Sequence, residues 1–523
     1  MRKIGGMIPP RIVTRDRGYL IAILIVLALI QALSIAAAAF STRWLFMALH
    51  DAWRTGVMEN HHKLWHLLPP AALLVLGGSG LVIAVARVLF RRFGEILGQS
   101  YARDVRIALF DHASRMWPRD LAARRAGYLS LRFVGDLTAL KDWPGRGLPL
   151  LVEGVVMLPA AVVILFMIDW GFGVIGLCLA CLALLALAVM ARGLLQAHQR
   201  LRTRRALLAA DLTERLPIAP ELAALGRRTT EKNLIIKRSA ALMEAAVRRI
   251  TRSETLHAVP DALTGIAAAL LIWWGAGTEQ STANIAAGLA VLGLTARPLR
   301  ELMGVTDRAS AFRAAYDKLC TALARPMAPV RKQNAAKLSA GPVALDLIQA
   351  CVGKAAPLTL SVVPGACGVL PPDADVEAVF RAITGLEPVV SGKIRLNHHS
   401  VECLTLGNLR RSVMLISDTP CILKGTMSRV LTLGLPKRLT DAVILSRLEE
   451  AGLSGLLSKL GGLDQRLSEG GRTLSRADRM TLSLLRAALG NPGLLLIRAG
   501  LRDLGETGVQ WVNSHRATKL FAS

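Results

Sequence analysis

Charge is scarce in this sequence, and acidic charge scarcer still. Asp, Glu, Lys and Arg make up 19% of 523 residues, with 37 acidic side chains against 64 basic ones. Soluble domains usually carry about a quarter charged residues, so a wholly soluble chain is the first class set aside. Cysteine is sparse as well. The seven cysteines are scattered, mostly in apolar stretches, and give neither a disulfide framework nor a paired metal-binding spacing. Cys178 and Cys181 do form a C-x-x-C, but inside a purely apolar run, where both read as small hydrophobes. A cleavable leader is not expected either. The basic stretch Met1–Gly18, with Pro9 and Pro10, runs into an apolar segment too long for a signal peptide and without a clean small-residue cleavage site. That segment reads as a first membrane helix.

Apolar runs are what the sequence has in quantity, at 53% hydrophobic residues. Six segments approach the ~20 residues that cross a bilayer. They are Tyr19–Phe40, Leu67–Phe90, Leu148–Ile168, Trp170–Ala191, Val259–Gly275 and Asn284–Ala296. Backbone polar groups have no water to bond in lipid, so all six are expected to be helices. Minimal turns join the third to the fourth at Asp169 and the fifth to the sixth at Gly277–Ser281. Long polar stretches, Arg91–Gly147 and Arg192–Leu256, follow the second and fourth; together they hold 25 Lys and Arg, against three (Arg43, Arg54, Lys63) on the other side. The positive-inside rule then places the long stretches, the N-terminus and the C-terminal domain in the cytoplasm, with a bacterial inner membrane as the expected location. The net charge of +27 is thus a topology signal, and no nucleic-acid partner is expected.

The long stretches look helical. Ser100–Met116 is expected to set Val105, Leu109 and Phe110 on one side and Arg103 and Arg106 on the other, and Ala206–Ala224 is similar, broken at Pro217 and Pro220. Composition changes at residues 326–340, a Pro- and Lys-containing linker, so the expected division is a membrane domain over 1–325 and a soluble α/β domain over 341–523. Expected strands are Val343–Ile348, Gly392–Leu396, Val413–Ser417 and Gly493–Ile497.

This order resembles the ABC-type exporter half-transporter: six transmembrane helices with two paired cytoplasmic excursions, then a P-loop-NTPase-like nucleotide-binding domain. Local text agrees. Gly127–Leu140 (GYLSLRFVGDLTAL) looks like the family's first cytoplasmic loop and Arg297–Leu302 (RPLREL) like the end of its sixth helix. Pro388–Ile394 (PVVSGKI), Leu423–Met427 (LKGTM) and Leu474–Pro492 (LSRADRMTLSLLRAALGNP) resemble stretches after the phosphate-loop helix, after the glutamine loop, and at the signature helix.

The resemblance implies G-x-x-x-x-G-K-[ST], whose backbone N–H groups and lysine receive phosphate while the hydroxyl holds Mg²⁺. Here the text is Leu370–Glu377 (LPPDADVE): Val376 stands at the lysine position and Glu377 at the hydroxyl position. No lysine lies between Pro364 and Gly385, so no shift of alignment restores the motif. Asp373, Asp375 and Glu377 would face an anionic ligand, and each like-charge contact near 4 Å is unfavourable by roughly 1–4 kcal/mol. At the end of the apolar strand Leu494–Ile497, Arg498 and Ala499 replace the Mg²⁺-binding Asp and the Glu beside the attacking water. Asp503 nearby reads as a loop residue. Asp418 takes the glutamine-loop position, the aromatic expected near Cys351 is absent, and the signature keeps Ser475 but has Arg476 where a glycine belongs. Arg476 is either a solvated helix-start residue or a donor to a partner's phosphate. His515 resembles the switch histidine, after a segment much shorter than the family's, and is equally read as a terminal exposed histidine.

The resemblance therefore implies a vestigial site with no catalytic or metal-binding residue and no cofactor of its own, Mg-ATP reaching the assembly through a partner subunit. Expected partners are the lipid bilayer, an exported cargo, and a second, ATP-competent half-transporter in a heterodimer. Within the spans Arg87, Glu153 and Asp261 are ionisable but sit near helix ends, where snorkelling explains them; Gln31 joins Arg87 and Glu153 as a candidate for the translocation path. Two other readings stand beside this one: a membrane scaffold or regulator of ABC fold without transport, and a homodimeric exporter using unfamiliar residues.

Overall fold

The computed structural model describes residues 8–54, 69–122, 136–278, 280–325, 327–328, 338–353, 356–435, 439–498 and 504–522. In chain order, helices α1 (Arg15–Arg54), α2 (Pro70–Ser114) and the short α3 (Pro118–Ala122) precede a π turn, Trp143–Gly147. Then come α4 (Leu148–Ile168), α5 (Trp170–Arg215), α6 (Ala219–Ala224), α7 (Arg228–Gly277), α8 (Thr282–Met303) and α9 (Val305–Leu323). The chain forms two compact units, Met1–Arg115 with Arg124–Pro326, and Met116–Ala123 with Met327–Ser523.

In the first unit, five of the described helical stretches are long and apolar enough to cross a bilayer by length and composition. The sixth, α8, packs into the same core: Ala287, Val291 and Leu292 meet Ile35 and Ala39 of α1, Met157 and Ile164 of α4, Phe172 of α5 and Leu271 of α7. The outward faces stay apolar. Leu74, Val88, Val155, Val189 and Trp273 are all exposed, a surface that water would penalise and lipid accepts. Helix ends are set by side chains. Asp169 caps α5, accepting from the N–H groups of Gly171 at 2.9 Å and Phe172 at 3.3 Å, and Ser281 caps α8 through Asn284 N–H at 3.3 Å.

The expected spans lie inside these helices; α2, α5 and α7 run far past them into the polar stretches, while α4 coincides with its span, and Leu67 and Leu68 fall outside the described residues. Pro217 and Pro220 do break the helix, through a 3₁₀ turn at Leu216–Ile218. One face assignment was wrong. Tyr101 and Val105 are buried with Leu140, Phe312 and Leu319, and Leu109 packs on them, but Phe110 is 77% exposed. At ~100° per residue, Phe110 lies about 140° around the helix from Val105.

The second unit is built on two four-stranded sheets. One is antiparallel, in the order β2 (Leu358–Val362), β1 (Leu345–Val352), β4 (Val389–Leu396), β5 (His399–Ser400). The other is parallel, in the order β3 (Cys367–Val369), β10 (Thr518–Phe521), β9 (Leu494–Ile497), β6 (Val413–Ile416). A short antiparallel pair joins β7 (Gly425–Thr426) to β8 (Arg466–Leu467). Around them lie α10 (Val376–Ile383), α11 (Leu406–Ser412), α12 (Met427–Leu431), α13 (Asp441–Glu450), α14 (Ser454–Lys459), α15 (Arg476–Gly490) and α16 (Gly505–Ser514). Strand β9 shows why the parallel sheet is sealed on both faces. Leu495 and Ile497 enter one core with Ile416, Met480 and Leu484, and the alternate Leu494 and Leu496 enter the other with Val379, Phe380 and Leu520.

Candidate functional site

The loop from Leu370 to Asp375 leads from β3 into α10, and α10 faces the end of β9 and the loop after β6. A helix N-terminus offers free N–H groups and a partial positive charge, and so attracts an anion. In this chain the anions are its own. Asp375 caps the helix, its Oδ1 accepting from Ala378 N–H at 3.1 Å. Glu377, in the first turn, accepts from Arg498 Nη2 at 3.1 Å and is ion-paired with Arg381 one turn along. Val376 is half-buried and packs on the core below the loop.

Arg498 is held from three directions. Its backbone N–H donates to the Ile416 carbonyl at 3.0 Å, Nη1 to Thr419 Oγ1 at 3.1 Å, and Nη2 to Glu377. Next to Thr419, Asp418 forms an ion pair with Arg476 at 3.3 Å. A carboxylate in the first turn of α10 and a guanidinium at the end of β9, far apart in the sequence, are thus brought together by the fold. Ala499 and Asp503 lie outside the described residues.

The remaining motif positions are engaged locally. Ser475 and Asp478 form a reciprocal capping box at the start of α15, with Asp478 N–H donating to Ser475 Oγ at 3.1 Å and Ser475 N–H to Asp478 Oδ2 at 3.0 Å. His515 Nδ1 accepts from Ala517 N–H at 3.2 Å, so Nε2 carries the proton and donates to Asn491 Oδ1 at 3.1 Å, with the ring 4.7 Å from that of Trp511. Burial, then the Lys519 charge, pushes this imidazole below its ordinary range. His515 is thus fixed away from the Glu377–Arg498 group, contrary to an exposed terminal residue. Arg486, half-buried on α15, donates to the carbonyls of Cys421 at 3.1 Å and Val430 at 2.9 Å, which braces the chain after β6. Sequence reasoning missed Thr419, Arg381 and Asn491 as partners. Only Arg381, four residues from Glu377 on one helix, carried a readable signal.

In the first unit Gln31 is 3% exposed and its Nε2 has no hydrogen-bond partner among the described residues. Arg87 and Glu153 are half-buried on α2 and α4. Asp261 is paired with Arg300 of α8, Nε to Oδ1 at 3.0 Å, which accounts for its charge without a transport role.

A sequence model described as the ABC transporter transmembrane region matches residues 20–295, more than half of the chain. The chain belongs to the ABC transporter family. Among similar proteins, the uncharacterized ABC transporter ATP-binding protein YknV of Bacillus subtilis (strain 168) is 20% identical over 81% of this chain and 72% of its own. The glutathione/L-cysteine transport system ATP-binding/permease protein CydD of Escherichia coli (strain K12) is 23% identical over 84% of this chain and 78% of its own. The fold matches the structure of a bacterial Atm1-family ABC exporter with ATP bound at a TM-score of 0.77, covering 98% of this chain and 91% of that one, at 17% identity. The chain is therefore an integral multi-pass membrane protein of the ABC transporter family, in which a helical membrane domain with the fold of that exporter precedes a sheet-containing C-terminal domain.

Proposed function

We propose that this exporter subunit is a non-hydrolysing half, completed by a second half-transporter with a competent nucleotide site, and that its N-terminus and C-terminal domain are cytoplasmic. One observation carries the reading: the ion pair between Glu377 and Arg498. In a working site of this family the helix N-terminus receives phosphate and the strand end supplies an acidic side chain to Mg²⁺. Both signs are reversed here, and the two groups neutralise each other. The signature position supports the same reading, because Ser475 is spent on a capping box and Arg476 on Asp418. What this half would lend to a partner's nucleotide is therefore reduced as well, and turnover depends on the partner's own motifs. The packed six-helix core favours a role in transport over one as a bare scaffold, and the basic stretches support the cytoplasmic placement.

The test is Mg-ATP binding and turnover by the purified full chain, alone and co-purified with an intact half-transporter. The expected result is no saturable binding and no turnover alone, with transport by the pair that is lost when this chain is left out. Vanadate-sensitive turnover by the chain alone, abolished by Arg498→Ala, would reject the proposal. A partner that transports equally well without this chain would favour a regulatory role.

A further inference from the structure

Two short turns close one end of the helix bundle, the end away from the long polar stretches: Asp169 joins α4 to α5, and the turn between Gly277 and Thr282 joins α7 to α8. A single carboxylate ties them together. Asp169 Oδ1, besides capping α5, accepts from the Trp274 indole Nε1 of α7 at 3.2 Å, and Oδ2 accepts from Gln280 Nε2 at 3.0 Å. Gln280 Oε1 in turn accepts from Asn284 Nδ2 of α8 at 2.8 Å. Only glycine at position 171 lets the indole come this close, since a Cβ there would overlap the Trp274 ring nitrogen.

The order of donors and acceptors in this relay is not free. An ionised carboxylate only accepts, so Gln280 must turn its amide NH2 toward Asp169 and its oxygen toward Asn284. Asn284 must then turn its own NH2 toward Gln280, and its Oδ1 is left facing away. That oxygen is buried and meets no donor among the described residues, in a side chain only 9% exposed. The row of Asn284 on α8 continues through Ala287 and Val291, which share a core with Ile35 and Ala39 of α1. Thr295, next in that row, is satisfied by the Val291 carbonyl at 2.8 Å, so Asn284 holds the unmet group. A buried acceptor without a donor is unfavourable, the more so in a membrane-spanning bundle, and calls for a partner in some state of the molecule. The partner is not an anion, because the relay begins at a carboxylate whose donors among the described residues are all neutral.

We propose that Asn284 Oδ1 is a specificity-determining acceptor of the transport path, and that it receives the O–H or amide N–H of a neutral solute with an apolar body. Asp169 acts through Gln280 as a positioning residue that fixes which atom of the Asn284 amide is offered. A site that awaits a donor rejects an analogue that has only acceptors, because oxygen would then face oxygen. The inference rests on the transport role proposed above, but its test needs neither nucleotide nor partner.

The full chain in nanodiscs is titrated with para-fluorophenol, which offers an O–H, and with para-fluoroanisole, which has nearly the same shape but only an ether oxygen. Binding is read as saturable fluorine NMR line broadening above that of empty nanodiscs. The phenol is expected to bind in the millimolar range, and the anisole to show no saturable broadening. Asn284→Leu, which removes the acceptor at similar volume, is expected to weaken the phenol about tenfold or more. Asp169→Asn is the sharper variant, and it keeps the proposal testable should Asn284→Leu fail to fold. Asparagine caps a helix as well as aspartate does, and it offers an NH2 to Gln280. The relay then reverses and Asn284 turns its NH2 into the bundle, so the anisole is expected to gain saturable binding and the phenol to lose its advantage. A change in packing alone would lower both probes together. Equal phenol binding by Asn284→Leu and the parent, equal binding of both probes by the parent, no binding of either, or an unchanged preference in Asp169→Asn would overturn the proposal. Any of these leaves the non-hydrolysing reading in place, and ATP turnover by the chain alone would leave this site in place.

Discussion

Arg498 donates to Glu377 across 3.1 Å and so ties the end of β9 to the first turn of α10, while its second Nη holds Thr419 in the loop after β6. Three segments far apart in the sequence are held together by side chains of the chain itself. Both partners are partly exposed, at 33% and 42%, so water screens the attraction. A double-mutant cycle of Arg498→Gln and Glu377→Gln, followed by thermal unfolding of the full chain, is expected to give a coupling of about 0.2–1 kcal/mol. Arg498→Glu alone should destabilise more than Arg498→Gln, because it sets a second carboxylate against Glu377, and Glu377→Arg in the same chain should recover the loss. Equal melting of Arg498→Glu and Arg498→Gln would show that the two groups do not meet.

Arg486 is expected to matter more for stability than any residue of that surface network. Its side chain is half-buried, desolvation pushes the guanidinium below its ordinary range, and it serves the backbone carbonyls of Cys421 and Val430. Arg486→Leu keeps apolar bulk but strands those two acceptors, at a cost of about 1–3 kcal/mol for each left unsatisfied. Chemical denaturation should show that loss, with Arg486→Lys intermediate because one ammonium cannot reproduce the fork. A leucine variant as stable as the parent would mean that water already reaches both carbonyls.

The membrane helices were legible because bilayer thickness forces a long apolar run, and β9 was legible because four consecutive apolar residues fit a strand covered on both faces. That no lysine lies between Pro364 and Gly385 is equally readable, being a local fact of the sequence. The partners of that segment are not. Glu377 and Arg498 are 121 positions apart, and nothing in either neighbourhood names the other. Strand β10 was missed for a related reason: Thr518–Phe521 is four residues long and carries Lys519, whose Nζ reaches the Asn513 carbonyl at 3.3 Å while the rest of the side chain is buried. The pairing of β10 with β3 and β9 decides its state, not its own propensity. Phe110 shows the finer limit, since a helix can be placed correctly and one residue of its buried face still assigned a neighbour too far.

Asp307 should give the membrane unit a pH dependence with a definite sign. Burial alone would raise its pKa, but His198, Arg249 and Ser253 outweigh that and leave the carboxyl below its ordinary range. A carboxyl lowered in the fold stabilises above its unfolded value of about 3.9, and that contribution is lost as pH falls through the folded value. Asp307→Asn is therefore expected to be less stable than the parent at pH 7 by about 1–3 kcal/mol, as a charge-assisted group loses its partners. The deficit should shrink as pH is lowered below about 4, where the parent becomes protonated too. Melting curves of both proteins across that range decide it; a deficit constant with pH would assign the effect to packing instead.

The crossing of α2 with the π turn can be tested apart from any ligand. A Cβ on Gly98 would stand 2.8 Å from both Gly145 Cα and the Lys141 carbonyl oxygen, backbone atoms that cannot swing aside. Gly98→Val is therefore expected to force the helices apart, at about 1–3 kcal/mol or more. Gly77 lies on the same helix, yet a Cβ there meets nothing within 4 Å. Gly77→Ala should leave the fold intact and raise helix stability by up to about 1 kcal/mol. The two sites differ in whether another backbone lies alongside, and valine adds a β-branched bulk that alanine lacks. If Gly98→Val and Gly77→Ala melt alike, α2 does not touch the turn. If Gly98→Val melts lower while Gly77→Ala does not, the close approach of two backbones at this crossing is what the glycine permits.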